Sequence, residues 1–256
     1  MLKHVVQTLE TIAPLKYAES WDNVGLLAGH AEQPVKTVVL TKDLTMQVAR
    51  EAISKHADLV IAYHPPIFNA LKRLDYQSPL GLLVTRGIAI YSPHTAWDVA
   101  LGGANDILAD AVSMANRRPI KADPLKDPAF GIGRIGSVAR TTRQALVEQI
   151  KSYFGVSQVL VAGSLDASAE RVAVAAGAGG DLISQAIRQG AELVVTGEMR
   201  HHDALSAVQS GATVVCLRHS VSERLSLKAL LEKIIAVHPK LTCSISLEDH
   251  DPFHFA

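Results

Sequence analysis

Short apolar runs rich in β-branched residues alternate along this chain with segments of helical period, and that alternation admits few folds. Residues 35–40, 59–64 and 88–94 begin as strands. Residues 45–55, with Val48, Ala49 and Ile53 on one face, and 80–86 read as the helices between them. A further helix is expected over 105–115. This is the grammar of βαβ units, so the expected class is α/β with mostly parallel sheets. The stretch 117–127 is charged, carries Pro119 and Pro124 and has no clear period, which makes it the best linker candidate. Beyond it, strands are expected at 134–140, 158–162, 171–176, 193–196 and 213–217. Helices are expected at 143–154, 181–189 and 222–237, with a last apolar alternation at 241–247. At 256 residues, 48% of them hydrophobic, the chain can bury one large α/β core or two small ones.

Charge and cysteine content narrow the function. Twenty-five basic residues balance 25 acidic ones. The longest basic cluster, Arg117-Arg118 with Lys121, is too small for a dedicated nucleic-acid face. Cys216 and Cys243 lie too far apart for a zinc-type Cys-x-x-Cys and do not make a disulfide framework. A reducing compartment fits best, and Cys216 reads as a small buried hydrophobe. No run approaches the ~18 apolar residues of a membrane span. Residues 1–12 form an amphipathic helix pattern with Glu10 and no arginine, unlike a targeting presequence. The expected location is the cytoplasm.

The chemistry concentrates where strands end. Three apolar runs terminate in His64, His94 and His219, with Asp98 four residues beyond His94 and Glu223 four beyond His219. In parallel α/β sheets ligands bind outside the carboxyl ends of the strands, and imidazoles with carboxylates there suit a divalent metal. If the sheet is parallel, the three ends point to one edge. His219 and Glu223 open a helix and share one of its faces. His94 and Asp98 repeat the spacing in a proline-marked loop, and Pro65-Pro66 holds His64 extended. Taken alone, each histidine also reads as a satisfied polar group, and His219 with Glu223 as a surface hydrogen bond. Glu198, His201 and His202 form a second acid-and-imidazole cluster; the two histidines also read as the start of an exposed helix. Gly177 to Gly180 reads first as a tight strand-to-helix turn, and second as an anion cradle. Asp22 and Asn23 read as turn formers, while Trp21 and Trp97 are candidates to wall a flat ligand.

Five ordered motifs carry a resemblance. They are Ser20-Trp21-Asp22-Asn23-Val24-Gly25-Leu26, Tyr63-His64-Pro65-Pro66-Ile67-Phe68, His94-Thr95-Ala96-Trp97-Asp98, Thr196-Gly197-Glu198-Met199 with His201-His202-Asp203, and His219-Ser220-Val221-Ser222-Glu223-Arg224. Together they resemble the NIF-three-like family, whose members are often labelled GTP cyclohydrolase I type 2 homologues. The resemblance implies two interlinked α/β domains, the first discontinuous, over residues 1–125 plus 214–256, and the second over 126–213. It implies a ring-shaped homohexamer and a dinuclear site with His64, Asp98, His219 and Glu223 as metal ligands. Many bacterial members carry a second histidine where this chain has Tyr63, which leaves one metal short of a ligand. Tyr63 as a phenol donor, or His94 as a substitute, are the ways to fill that place. Two functional readings follow. The first is a hydrolase using one or two divalent ions (Zn, Fe, Mn, Ni or Co) on a nucleotide or other phosphorylated small molecule, with Glu198 and His94 as catalytic proton carriers. The second is a non-catalytic metal-binding or protein-interaction protein.

Overall fold

In the computed structural model, residues 1–123 and 125–255 are described. The chain divides into two units, Met1–Trp97 with Leu227–Ala256, and Asp98–Ser226. The backbone crosses between them inside two helices, His94–Val99 and His219–Val237.

The first unit is built on a five-stranded sheet in the order Gly25–Ala28, Ala89–Ser92, Leu59–Ala62, Thr37–Thr41, Thr242–Ile245. Every neighbouring pair is parallel except the Gly25–Ala28 edge, which runs antiparallel to Ala89–Ser92. The two central strands are buried along their whole length, which is why they read as unbroken apolar runs. Val39, Val60 and Ile90 pack with Ala49, Ala52, Leu80 and Leu83 from the helices Met46–Ser54 and Pro79–Val84. Both helices start on sequence-encoded caps. Thr45 accepts from Val48 N at 3.2 Å, and Ser78 accepts from Gly81 N at 3.1 Å with Pro79 in the first turn.

The second unit holds a six-stranded sheet in the order Ala115–Arg118, Arg134–Thr142, Ser168–Ala178, Leu193–Glu198, Thr213–Cys216, Leu160–Ala162. Only the run from Ser168–Ala178 through Thr213–Cys216 is parallel. The flanking pairs are antiparallel. Alternation along the strands serves two cores. Val172, Val174, Val195 and Val215 pack with Leu146, Val147 and Ile150 on one face. Ala173, Val194 and Val214 pack with Ile183, Ala186 and Ala207 on the other.

The α/β class stands, with one refinement: the first sheet is mostly parallel, the second only through its middle. Two local expectations give way. The stretch read as a linker contains the strands Ala115–Arg118 and Lys121–Ala122, the latter paired with Gly131–Ile132; Pro124 lies outside the described residues. This segment sits beside Arg134, which is 2% exposed and ion-paired with Asp106 at 2.7 Å. Arg134 also donates to the carbonyls of Gly131, Gly133, Val99 and Ala100. The segment's strands are short and mostly exposed, which leaves no apolar period to read. The other revision is that His94 and Asp98 lie on a helix, His94–Val99, and not in a loop. No helix among the described residues is long and apolar enough to cross a membrane.

Candidate metal-binding side chains

The three strand-end histidines do not share one sheet. His64 and His94 follow adjacent parallel strands of the first sheet, whereas His219 follows Thr213–Cys216 in the second. The expectation of a single edge fails because the parallel runs belong to two sheets, which periodicity cannot separate.

In the first unit the His64 and His94 rings lie edge to face with centroids 5.3 Å apart. Each is held by a carboxylate on its Nδ1: His64 by Asp43 at 2.8 Å and His94 by Asp22 at 2.8 Å. An ionised carboxylate only accepts, so Nδ1 carries the proton and Nε2 is the ring nitrogen turned away from the carboxylate. Burial pushes the Asp43 carboxyl up, but the His64 hydrogen bond and the His64 and Lys42 charges outweigh it and bring the pKa to about 2. The same opposition holds Asp22 below its ordinary value, with His94 and Thr95 outweighing burial. Thr95 donates to Asp22 through its hydroxyl at 2.5 Å and its N–H at 3.1 Å. Asp22 is thus an acceptor fixing an imidazole, beyond the turn-forming role read from the sequence. His94 itself takes φ +25°, a conformation that non-glycine residues rarely adopt and that concentrates at functional sites. Tyr63 is fully buried with its ring edge-on to His64 at 5.3 Å. Trp97 is fully buried, so it cannot wall a ligand, while Trp21 is 57% exposed.

In the second unit His219 opens the long helix after Arg218, whose φ of +79° turns the chain out of the strand. Its Nδ1 faces Glu198 at 3.1 Å and its Nε2 faces Glu223 at 3.1 Å. The i, i+4 spacing therefore does converge, and the Glu223 side chain is 5% exposed. Two glycines make room for this pair. A Cβ on Gly177 would collide with Glu223 Oε1, and one on Gly197 would lie 2.8 Å from the His219 Cα. Gly177 lies inside the strand Ser168–Ala178 and not in the turn, which falls at Gly179 and Gly180; a glycine is required there by the close approach of Glu223. Ser222 bridges the helix and this strand, donating to the His219 carbonyl at 2.7 Å and accepting from Gly177 N at 2.9 Å. Asn105, 1% exposed, donates to the Asp98 carbonyl at 2.9 Å and accepts from Ala176 N at 2.9 Å. It ties Asp98, itself 8% exposed, to the strand end that abuts Glu223. The His201 and His202 rings meet edge to face, with centroids 5.5 Å apart, on the exposed first turn of His201–Gln209.

Sequence reasoning missed Asp43, Asn105 and Ser222. Asp43 stands after the apolar run 35–40, and a carboxylate there was the available signal. Asn105 and Ser222 read as ordinary helix residues.

Two α/β units carrying carboxylate-oriented histidines define a class of candidate metal-binding protein. The model of the Duf34/NIF3 (NGG1p interacting factor 3) family matches residues 1–252, and the chain belongs to that family. It is 38% identical over 231 residues to the NIF3-like protein 1 of Drosophila melanogaster, covering 87% of this chain and 78% of that protein. It is 30% identical over 260 residues to a GTP cyclohydrolase 1 type 2 homolog of Clostridium perfringens, covering 99% of each. The fold is similar to that of a Bacillus cereus protein related to NIF3, with a TM-score of 0.88 at 23% identity over 100% of this chain and 99% of that one.

Proposed function

We propose that this protein is a metal-dependent hydrolase of nucleotides or other phosphorylated small molecules, with one or two divalent ions on His64, Asp98, His219 and Glu223, the ligand set that the family resemblance implies. The observation that carries the reading is the repeated orientation of imidazoles: His64, His94 and His219 each have Nδ1 on a carboxylate, at 2.8, 2.8 and 3.1 Å. Metal-ligating histidines nearly always have such a partner on the other nitrogen, whereas scattered surface histidines have no reason to repeat it. Imidazole with carboxylate suits Zn, Fe, Mn, Ni or Co. Where Tyr63 replaces a family histidine, His94 offers an equally oriented Nε2.

A divalent ion in such a site supplies Lewis acidity toward a phosphoryl or carbonyl oxygen and favours ionisation of water. The residues around it supply the rest. Asp43, ionised down to a pH of about 2, keeps the His64 ring oriented through its Nδ1–H. His94, with Nδ1–H fixed on Asp22, can take a proton at Nε2 and return it. Glu198, more than half exposed beside His219, is the second proton carrier. GTP belongs among the trial substrates because of the name carried by the Clostridium perfringens relative. The alternative, a non-catalytic interaction protein, draws on the family's own description as an interacting factor. The two half-buried free cysteines fit a cytoplasmic setting.

Metal analysis of the purified protein beside a His219→Ala/Glu223→Ala variant tests the site. We expect the bound metal to fall to background in the variant, and unchanged metal content would sink the assignment. Glu198→Gln separates the two functions, since a hydrolase loses turnover and keeps its assembly, while a binding protein loses neither.

A further inference from the structure

Trp21 and Phe68 stand 57% and 48% exposed, which is unusual for rings whose backbone is so firmly tied. Their ring centroids are 5.9 Å apart with the planes tilted by 51°. Asn23 donates to the Ile67 carbonyl at 2.5 Å, joining the two loops that carry them. The next residue after Trp21, Asp22, has a fully buried side chain and is held by His94 and Thr95. The Trp21 ring meets the His94 imidazole edge-on at 6.1 Å. One wall of this surface is thus two fixed aromatic rings, and the adjoining one is the His94–His64 pair.

We infer that Trp21 and Phe68 form a stacking platform for a planar heteroaromatic ring, a nucleobase in chemical class, carried by the molecule whose reacting group lies toward His64 and His94. The inference rests on the metal-hydrolase reading for the reacting group, and on the aromatic geometry alone for the ring. Exposed aromatic faces in fixed positions suit base stacking, because every nucleobase has a π-face and the protein has no side chain left to order. With the rings tilted by 51°, a flat ligand stacked face-on against one ring meets the other obliquely. A sugar phosphate without a base would gain nothing from either ring.

Calorimetric titration of the metal-loaded protein with AMP, adenosine and ribose 5-phosphate tests this. AMP and adenosine should bind, with AMP well ahead of ribose 5-phosphate. Trp21→Ala should weaken AMP and adenosine about five- to hundred-fold, the range that base–aromatic stacking spans. Trp21→Phe should cost less than about three-fold, since it keeps a π-face. Phe68→Ala should weaken the same two ligands in a second, independent background, with melting curves confirming the fold of each variant. Ribose 5-phosphate should bind all variants alike. The proposal is overturned if wild-type protein binds neither base-containing probe, if AMP and ribose 5-phosphate bind equally, or if Trp21→Ala leaves AMP affinity unchanged. It is equally overturned if that variant changes the oligomer in light scattering and not the affinity, because the platform would then be an assembly surface. Adenosine carries no phosphate, so its binding reports on stacking even if His219→Ala/Glu223→Ala shows the metal assignment to be wrong.

Discussion

Gly177 shows how narrowly the second unit is fitted around its carboxylate. It takes φ +65°, and an added Cβ would meet Glu223 Oε1, with the His219 ring atoms 3.4 Å away. Gly155 takes φ +64° with open space around its Cβ position. The pair therefore separates backbone strain from displacement of a ligand. Gly177→Ala and Gly155→Ala should each lose about 1 kcal/mol of stability from the left-handed backbone. Only Gly177→Ala should also weaken metal binding, by about ten-fold or more, the usual effect of disturbing a ligand's support. Competitive titration with a chromophoric chelator measures it, and equal metal affinity in the two variants would refute the role given to Gly177. In the sequence Gly177 reads as following a strand that ends at Ala176, whereas the strand runs on to Ala178. The sequence also did not show that the glycine's missing side chain is where Glu223 sits, because that depends on a residue 46 positions later in the chain.

Among elements, the residues that follow the C-terminal strand Thr242–Ile245 converge on an acid of a neighbouring helix. Glu51, on the helix Met46–Ser54, accepts from Leu247 N at 3.0 Å and Glu248 N at 3.3 Å, from the Ser246 hydroxyl, and pairs with Lys55 at 2.7 Å. Burial raises its pKa, but these donors outweigh burial and hold it at about 2, below the ordinary 4.5. A carboxylate whose folded pKa is depressed stabilises fully above its unfolded value and loses that contribution as pH falls through the folded one. The Glu51 contribution should therefore be complete at pH 6 and fade between about pH 5 and pH 2. Glu51→Gln should cost about 1–2 kcal/mol at pH 7. In urea titrations the gap between variant and wild type should shrink steadily toward pH 3. A gap independent of pH would mean that the clamp is not electrostatic. The strand itself was legible as an apolar alternation. Its place beside Thr37–Thr41 was not, since parallel pairing between chain ends leaves no local mark.

For the whole molecule, the family resemblance implies a ring of six subunits, and we carry that forward as a proposal. Light scattering of the purified protein should give six times the chain mass, and a monomer at micromolar concentration would refute it. Much of the α/β organisation was legible because helical and strand periods are written within a few residues of each other. The helix Arg143–Phe154 illustrates this: the Thr142 cap, the apolar face and the left-handed Gly155 stop all lie within one short segment. The two sheets were not legible as two, because Leu59–Ala62 and Thr213–Cys216 have the same apolar, β-branched character.

The sequence by itself determined the class of fold, the ordered motifs of the family, and which histidines stand at the ends of strands. These are local properties of the chain, encoded in period, caps and motif. Only the tertiary structure decided that each of these histidines has a carboxylate on Nδ1: Asp43 for His64, Asp22 for His94 and Glu198 for His219, from 21, 72 and 21 residues away. Hydrogen bonds over such separations depend on how strands and loops are brought together. The spacing of residues along the chain carries no trace of them.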